Sequence, residues 1–159
     1  MPIPSPTDEL LAKLRQLGDF QLPDRVRIDS YGDSDELSQE LLGLIRSGRK
    51  RANASLVWSY EHDGESMPQM GDVDVVVDHL GNPALITRNV DVRVLPYCAV
   101  SPEHAAAEGE GDGSIEYWRR AHWSFFSREC ERMGRVPTEA MLVVCIAFEV
   151  VAVIPPQSI

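Results

Sequence analysis

The segment 141–153 constrains the fold more than any other part of the chain. It reads MLVVCIAFEVVAV, so it is almost wholly apolar and rich in β-branched side chains. Such a run predicts a strand that is covered on both faces, because half-exposed strands alternate apolar with polar residues. The surrounding run, 140–154, contains Glu149 and is too short to span a bilayer. The chain therefore needs a sheet that lies within its core.

Shorter periodic segments accompany this strand. Alternation with a period of two predicts three further strands, at 54–60, 73–78 and 85–95. Apolar residues spaced by three and four predict helices at 7–18, 33–48 and 114–134, and a short helix that begins after Ser101. Asp33 and Glu36 resemble a capping box at the start of the second helix. Because strands and helices do not alternate strictly, the pattern favours an α+β fold around a small mixed or antiparallel β-barrel.

Length and composition indicate one folded domain. The chain has 159 residues, of which 43% are hydrophobic, so it can bury a core without disulfides or metal. We predict a single domain over residues 1–159. The formal net charge of −10 repels phosphate backbones at long range, so only a local basic patch would favour nucleic acid.

The cysteines and the N-terminal residues indicate a reducing compartment. Cys98, Cys130 and Cys145 are odd in number and far apart, without a C-x-x-C pair. They predict reduced, mostly buried thiols rather than a zinc cage, and we expect neither a metal site nor a cofactor. The N-terminal residues lack the basic and apolar regions of a signal peptide. We therefore expect a cytoplasmic protein that does not bind membranes.

A basic cluster follows the second predicted helix. Arg46, Arg49, Lys50 and Arg51 fall within six residues of a chain that is otherwise acidic. Cations at a helix C-terminus complement its dipole, but one or two would suffice for that purpose. Four of them make an anion site about as plausible as a purely structural role. The chain has 13 arginines and only two lysines, so Lys50 invites a chemical role that a guanidinium cannot fill.

A glycine-rich acidic loop precedes the long helix. Glu108, Glu110 and Asp112 alternate with three glycines. The loop admits three interpretations: a hard-cation site without the EF-hand spacing, a general base among solvated neighbours, or a structural loop near a helix N-terminus. In the long helix, Trp118, His122 and Phe126 share one face and predict a core stripe. Arg119 is placed to clamp the acidic loop or a ligand anion.

Four groups of residues resemble the ASCH (activating signal cointegrator homology) domain family. They are Tyr31-Gly32-Asp33-Ser34, the run GRKRANASL at 48–56, the run AEGEGD at 107–112, and Tyr117-Trp118-Arg119 with His122 and Phe125-Phe126. The resemblance covers about 31–151. It implies a PUA-like β-barrel with flanking α-helices and a cleft beside a G-x-K-x-x-T segment. It also implies binding of RNA, and in some small members removal of the acyl group from N4-acetylcytidine or ribonuclease activity.

The residues that the amidohydrolase members use are only partly present. Their lysine falls on Lys50, whereas Asn53 stands in place of the threonine and has no hydroxyl. Their glutamate is expected within 87–90, where Arg88 and Asn89 stand. Ser55 is the candidate replacement for the hydroxyl, and the acidic loop is the candidate source of a carboxylate.

Three hypotheses follow from these observations. In the first, the domain binds RNA, a nucleotide or a nucleoside, small or single-stranded; the ligand-binding residues are Arg49, Lys50, Arg51, Asn53, Glu110 and Arg119. Trp58 and Tyr60 are candidate stacking surfaces in this hypothesis. In the second, a hydrolase of modified nucleosides or RNA uses Lys50, Ser55 and Glu108 as catalytic residues. In the third, the chain is a protein–protein adaptor with a vestigial cleft. The binding module is preferred, because two of the three amidohydrolase positions are substituted.

Overall fold

A computed structural model describes residues 12, 14, 22–23, 26–32 and 34–155 of the chain. Within them lie five strands: β1 (Arg27–Ser30), β2 (Ala52–Leu56), β3 (Val73–Val77), β4 (Pro83–Pro96) and β5 (Leu142–Val153). The same residues include four α-helices: α1 (Asp35–Arg46), α2 (Val57–Asp63), α3 (Pro102–Glu108) and α4 (Ile115–Met133). A short 3-10 helix, Tyr97–Ala99, follows β4. None of the described helices is long and apolar enough to cross a membrane.

The five strands form one mixed sheet in the order β1-β3-β4-β5-β2. β1 runs parallel to β3, whereas all other neighbouring strands are antiparallel. The pairing register shifts between Val76 and Val77 of β3 and at two places along β4, and such bulges bend and twist a strand. The sheet accordingly forms a half-barrel with the helices beside it. The predicted α+β class, with a small mixed barrel and flanking α-helices, is confirmed.

The apolar run that dominates the sequence is β5, which lies between β4 and β2. Its first half is buried, and Val143 and Val144 have no exposed surface. Its second half differs, since Val151 and Val153 are about half exposed. β2 pairs with β5 only as far as Ala147, and beyond that point β4 is the neighbour of β5 in the described sheet. The prediction that both faces are covered is wrong for this second half.

The strand predicted at 54–60 is only half correct. β2 ends at Leu56, and the chain then turns directly into the helix α2, so Trp58 and Tyr60 are helical. The apolar alternation continues across this boundary, and for that reason the pattern did not reveal it. Gly64 ends α2 in the left-handed conformation, with φ at 69°. Trp58 is half-buried, and the guanidinium of Arg135 lies 4.5 Å from the centroid of its ring.

The helix termini follow ordinary capping chemistry. Ser34, rather than Asp33, is the N-cap of α1, and its hydroxyl accepts a hydrogen bond of 3.2 Å from the Leu37 amide. Asp33 itself lies outside the described residues. Ser101 caps α3 and is followed by a proline, as predicted, and α4 begins after its own serine cap, Ser114.

The largest cluster of the core lies between the sheet and α4. The predicted stripe of Trp118 and Phe126 is buried there against Tyr97 of the 3-10 helix. Cys130 and Cys145 are buried, whereas Cys98 is exposed, which confirms the prediction that most of the cysteines are buried.

Two parts of the chain differ from the sequence prediction in another way. The strand β1 was not predicted, because four residues, RIDS, carry no periodic signal. The helix predicted at 7–18 lies outside the described residues apart from Ala12 and Leu14, which are helical. Leu14 is fully buried and belongs to a cluster with Val75 and Ile86.

Candidate functional site

One cavity of about 760 Å³ lies between the sheet and parts of α1 and α4. Residues from β1, β2, β3, α2 and α4 line it, together with the acidic loop after α3. Its volume lies within the usual range of pockets that bind small molecules, about 300–1,000 Å³. Four aromatic side chains line the cavity: Tyr31, Tyr60, Tyr117 and Phe125.

Lys50 is buried in the wall of this cavity, with only 2% of its surface exposed. The chain between α1 and β2 carries it, and its backbone amide bonds to the carbonyl of Leu44 in α1. Its ammonium donates to the carbonyl of Ala52 at 2.8 Å, to Glu110 Oε2 at 3.1 Å and to Glu108 Oε1 at 3.3 Å. An ammonium has three donors, so Lys50 is fully hydrogen-bonded. The sequence neighbours of Lys50, Arg49 and Arg51, are exposed, so only the lysine of this run is buried in the cavity wall.

Glu108 is the last residue of α3 and is 1% exposed. Lys50 Nζ and His122 Nε2 approach its Oε1 at 3.3 and 3.2 Å. His104 Nε2 lies 2.7 Å from Oε2, and the indole of Trp118 donates to the same oxygen. Burial raises the pKa of a carboxyl, yet the charges of His122 and Lys50 hold the pKa of Glu108 well below its usual range. Glu108 is therefore an ionised anchor whose two oxygens are already occupied, which is a poor state for a general base.

The contacts of His122 favour a proton on both ring nitrogens. Its Nδ1 lies 3.0 Å from the carbonyl of Trp118, which can only accept a hydrogen bond. Its Nε2 faces the ionised Glu108, which also only accepts. Burial lowers the pKa of an imidazole, but the negative charge of Glu108 outweighs it and raises the pKa of His122. The predicted core histidine is thus stacked on Trp118, with 4.2 Å between ring centroids, and is also a cation that lines the cavity.

The glycines of the acidic loop set the position of Glu110. A Cβ at Gly109, where φ is 66°, would collide with the backbone carbonyl of Arg49. A Cβ at Gly111 would come within 2.6 Å of the Tyr117 ring. Arg49 also donates to the carbonyl of Gly111 at 2.5 Å, so Arg49 rather than Arg119 clamps the loop. This packing leaves the Glu110 side chain 21% exposed, with its carboxylate on Lys50.

The opposite wall of the cavity carries carboxylates from the sheet. Asp74 of β3 is 7% exposed, and its Oδ1 is buried without a hydrogen-bond partner in the described part of the chain. Burial, reinforced by the charge of Asp29, raises the pKa of Asp74 to about 7, although Arg27 opposes the shift. The pKa of Asp29 is raised as well, chiefly by burial. Among the described residues, no cation forms an ion pair with Asp29 or Asp74, whereas Lys50 contacts both Glu108 and Glu110 on the other wall.

The remaining polar groups of the cavity occur in pairs. Asn53 donates to the hydroxyl of Tyr31 at 2.8 Å. The hydroxyls of Ser55 and Tyr60 lie 2.7 Å apart. Among the described residues, no carboxylate or imidazole is bonded to Ser55, so this hydroxyl lacks the base that would activate a nucleophile.

The structure brings together some of the predicted site residues and not others. Lys50, Asn53, Ser55, Glu108 and Glu110 all line the cavity. Arg49, Arg51 and Arg119 are exposed and lie outside its lining. Arg88 is also outside, where it forms an exposed ion pair with Glu149. Trp58 does not line the cavity either, whereas Tyr60 does.

The expected basic cleft is therefore not what the cavity presents. Among the described residues, its lining contains six carboxylates: Asp29, Glu65, Asp72, Asp74, Glu108 and Glu110. Four cationic or imidazole side chains accompany them: Arg27, Lys50, His122 and Arg128. The basic cluster remains on the surface, because the chain turns only Lys50 inward between α1 and β2.

Sequence reasoning did not identify Asp29 and Asp74 as site residues. Asp74 alternates with valines, and the polar residues of an alternating strand are normally exposed, so the pattern does not mark it as a site residue. Register places it opposite Thr87 of β4, within the stretch where the resemblance predicts a catalytic glutamate. A carboxylate therefore does lie beside that stretch, on the neighbouring strand.

One group of side chains has the arrangement of metal ligands. One ligand atom from each of Glu108, Glu110 and His122 lies within 4.8 Å of the others. However, the Lys50 ammonium already bonds both carboxylates, and His122 Nε2 carries a proton. A metal ion there would have to displace the ammonium and deprotonate the imidazole, so these residues suit a tethered cation better than a metal.

Comparison with known proteins agrees with this architecture. The chain is similar to the crystal structure of an ASCH domain from Lactobacillus crispatus JV V101, with 34% identity, 91% of this chain and 93% of that chain covered, and a TM-score of 0.79. It is also similar to protein EF3133 from Enterococcus faecalis V583, with 32% identity, 93% and 86% covered, and a TM-score of 0.75. No curated protein matches the chain. The ASCH domain family model matches residues 27–152, and the chain belongs to the ASCH domain family.

Proposed function

We propose that this domain binds single-stranded RNA by accepting one base, with its ribose, in the cavity. The observation that carries the proposal is a cavity of about 760 Å³ that four aromatic rings line together with fixed hydrogen-bonding groups. Unstacked bases are commonly bound by stacking on aromatic side chains and by hydrogen bonds to their edges. Membership of the ASCH family is consistent with RNA binding.

The charge of the cavity favours a base inside and phosphates outside. The carboxylates outnumber the cations of the lining, and Lys50 and His122 are already paired with Glu108 and Glu110. A buried phosphate would meet the unneutralised wall at Asp74. Phosphates on either side of the bound base can instead contact the exposed arginines that follow α1. The net charge of −10 opposes binding of long duplexes, whose charge density is higher.

The direct test is titration of fluorescent single-stranded RNA oligomers and duplexes of the same length at several salt concentrations. We expect single strands to bind more tightly than duplexes. Phe125→Ala removes an exposed ring of the cavity lining, and it should weaken binding by about 5-fold or more. Val136→Ala is the matched control, because Val136 is an exposed apolar residue outside the cavity lining. The proposal fails if the folded wild-type protein binds neither RNA nor nucleosides at low salt.

A second function, hydrolysis of an N-acylated nucleoside, is favoured by the pair of Lys50 and Glu110. Glu110 is the partly exposed carboxylate of the network, whereas Glu108 is enclosed by donors. In this reaction Glu110 takes a proton from water and the hydroxide adds to the acyl carbon. Protonation of Glu110 weakens its bond to Lys50, and the donor that Lys50 regains stabilises the oxyanion. The C–N bond then breaks, the proton passes to the leaving amine, and a carboxylic acid is released.

This second function makes predictions that the binding function does not. Incubation with N4-acetylcytidine should release cytidine, and Glu110→Gln should abolish the release. Ser55→Ala should retain activity, since the hydroxyl has no base. Glu103→Gln, an exposed change on α3, serves as the control. The adaptor hypothesis expects a cleft filled by side chains, and the open cavity gives it no support.

A further inference from the structure

Asp74 differs from every other carboxylate of the cavity. The other five each have a partner: Asp29 accepts from the Ser30 amide, Asp72 accepts from the Gln69 amide, Glu65 lies 4.0 Å from Arg27, and Glu108 and Glu110 share Lys50. Asp74 Oδ1 has no hydrogen-bond partner among the described residues, although 93% of the residue is buried. An unsatisfied buried oxygen is uncommon in folded proteins and calls for an explanation.

The position of Asp74 is rigid. It lies in the middle strand of a three-strand patch, between Arg27 of the parallel β1 and Thr87 of the antiparallel β4. Val76 lies on the same face of β3 as Asp74 and is fully buried in a cluster with Ile45 of α1. A side chain anchored on a central strand is held more precisely than one on a loop, as residues that read a ligand need to be.

We propose that Asp74 reads the bound base by accepting hydrogen bonds from two adjacent N–H donors, the pairing edge that guanine presents. This inference rests on the proposed binding function and names its preferred ligand. In its ionised form, which hydrogen bonds donated by a ligand would favour, the Asp74 carboxylate offers only acceptors, and its two oxygens match two parallel donors. Guanine is the base that shows an N–H beside an amino group on its pairing edge. Adenine and cytosine place an acceptor beside their amino group, and uracil has one donor between two acceptors.

The surroundings of Asp74 support a ligand that donates rather than accepts. Asp29 lies close enough to act on Asp74 electrostatically, so two carboxylates face the same part of the cavity. Donors brought by a ligand would relieve the repulsion between them, whereas a phosphate or carboxylate would add to it. Oδ1 has almost no accessible surface, so the carboxylate would have to rotate to bring both oxygens to a ligand. The donors of the ligand would then satisfy this oxygen, for which the described part of the fold supplies no group.

The test compares nucleosides by isothermal titration with the full chain. Guanosine should bind most tightly. Inosine lacks the amino group and 1-methylguanosine lacks the ring N–H, so each should bind about 10-fold more weakly or worse. Adenosine and cytidine should be weaker by the same order. This comparison uses the wild-type protein and does not depend on the folding of any variant.

Asp74→Asn supplies the complementary measurement. The amide keeps the shape of the side chain but replaces one acceptor with a donor, so guanosine should bind about 10- to 100-fold more weakly. Asp91→Asn is the matched control, since Asp91 pairs with Arg93 outside the cavity. Circular dichroism shows whether each variant is folded.

These experiments distinguish a failure of the role of Asp74 from a failure of the proposed RNA binding. Equal affinity for all nucleosides, with Asp74→Asn unchanged, overturns the role of Asp74 and leaves RNA binding intact. Absence of binding to every nucleoside and to RNA overturns both. A guanidinium compound also presents adjacent donors; if methylguanidinium binds at Asp74 while guanosine does not, the base assignment is wrong.

Discussion

Replacing Glu108 with glutamine tests whether the buried network is an anchor of the fold. The carboxylate accepts from Lys50 and His122 on one oxygen and from His104 and Trp118 on the other. Glutamine has the same shape, but its NH₂ group cannot accept a hydrogen bond. Whichever way the amide is oriented, two donors lose their acceptor and face an N–H group. The two buried cations also lose the charge that compensates them.

The expected loss of stability is large. Removing one partner from a buried, hydrogen-bonded ion pair typically costs about 3–5 kcal/mol. For a domain of this size, each kcal/mol corresponds to about 2–4 °C in Tm, so Glu108→Gln should lower Tm by about 6–20 °C at pH 7. Glu103→Gln is the control, because Glu103 lies on the same helix, α3, and is exposed. That variant should stay within about 0.5 kcal/mol of wild type.

The pH dependence of this loss follows from the direction of two pKa shifts. The pKa of Glu108 is lower in the folded state, so its contribution is present at neutral pH and disappears as pH falls through that pKa. The pKa of His122 is raised, so its contribution is present below about 6.5 and disappears as pH rises through the folded value. The difference in Tm between wild type and Glu108→Gln should therefore be largest between these limits. A difference in Tm below 2 °C between the two proteins at pH 6, measured by thermal unfolding, would refute the anchoring role.

Three further predictions concern other parts of the site. Asp74→Asn should gain stability relative to wild type as pH rises from 4 to 8, by up to about 4 kcal/mol. The reason is that ionising a carboxyl whose pKa is raised to about 7 destabilises the folded state. If urea unfolding gives the same difference in free energy of unfolding between variant and wild type at every pH, this prediction is contradicted. Arg46→Gln with Arg51→Gln should reduce the slope of log K against log salt for single-stranded RNA by about 1.4 if each arginine contacts one phosphate; an unchanged slope would exclude both. Gly109→Ala should destabilise the protein more than Gly113→Ala in urea unfolding, since both have positive φ but only the first Cβ meets backbone atoms; equal losses would contradict the close approach.

Helices and strands that nearby residues determine were predicted from the sequence. The serine caps of α3 and α4 and the valine alternation of β3 lie within a few residues of the structure that they determine. β1 has no such signal, since a four-residue strand depends on its parallel partner for its existence. The start of α2 was missed for a related reason. Its first turn continues the apolar alternation of β2, and only packing against the rest of the molecule decides between strand and helix.

The site was predicted as separate residues rather than as an arrangement. Lys50, Glu108 and Glu110 each drew attention from their local sequence, but 58 and 60 residues separate the lysine from the two glutamates. Their contact depends on the loop between α3 and α4 packing against Arg49, where glycine alone fits. The pattern E-G-E-G thus marks a close approach to distant backbone, which a single sequence does not reveal. Asp74 was hidden for the opposite reason, because a polar residue in an alternating strand is normally exposed.

If the domain binds RNA as proposed, the unequal neutralisation of the two cavity walls should determine which part of a nucleotide enters. On one wall, Lys50 and His122 are balanced by Glu108 and Glu110, so that wall offers oriented dipoles but little net charge. On the other, Asp74 lacks a hydrogen-bond partner at Oδ1 within the described chain. A phosphate would lose its hydration there and meet the carboxylates of Asp29 and Asp74, whose charge Arg27 offsets only in part, whereas a neutral base loses little and can supply donors. A nucleoside should therefore bind the protein more tightly than its own 5′-monophosphate. In a longer RNA strand, phosphates that lie outside the cavity should strengthen the binding.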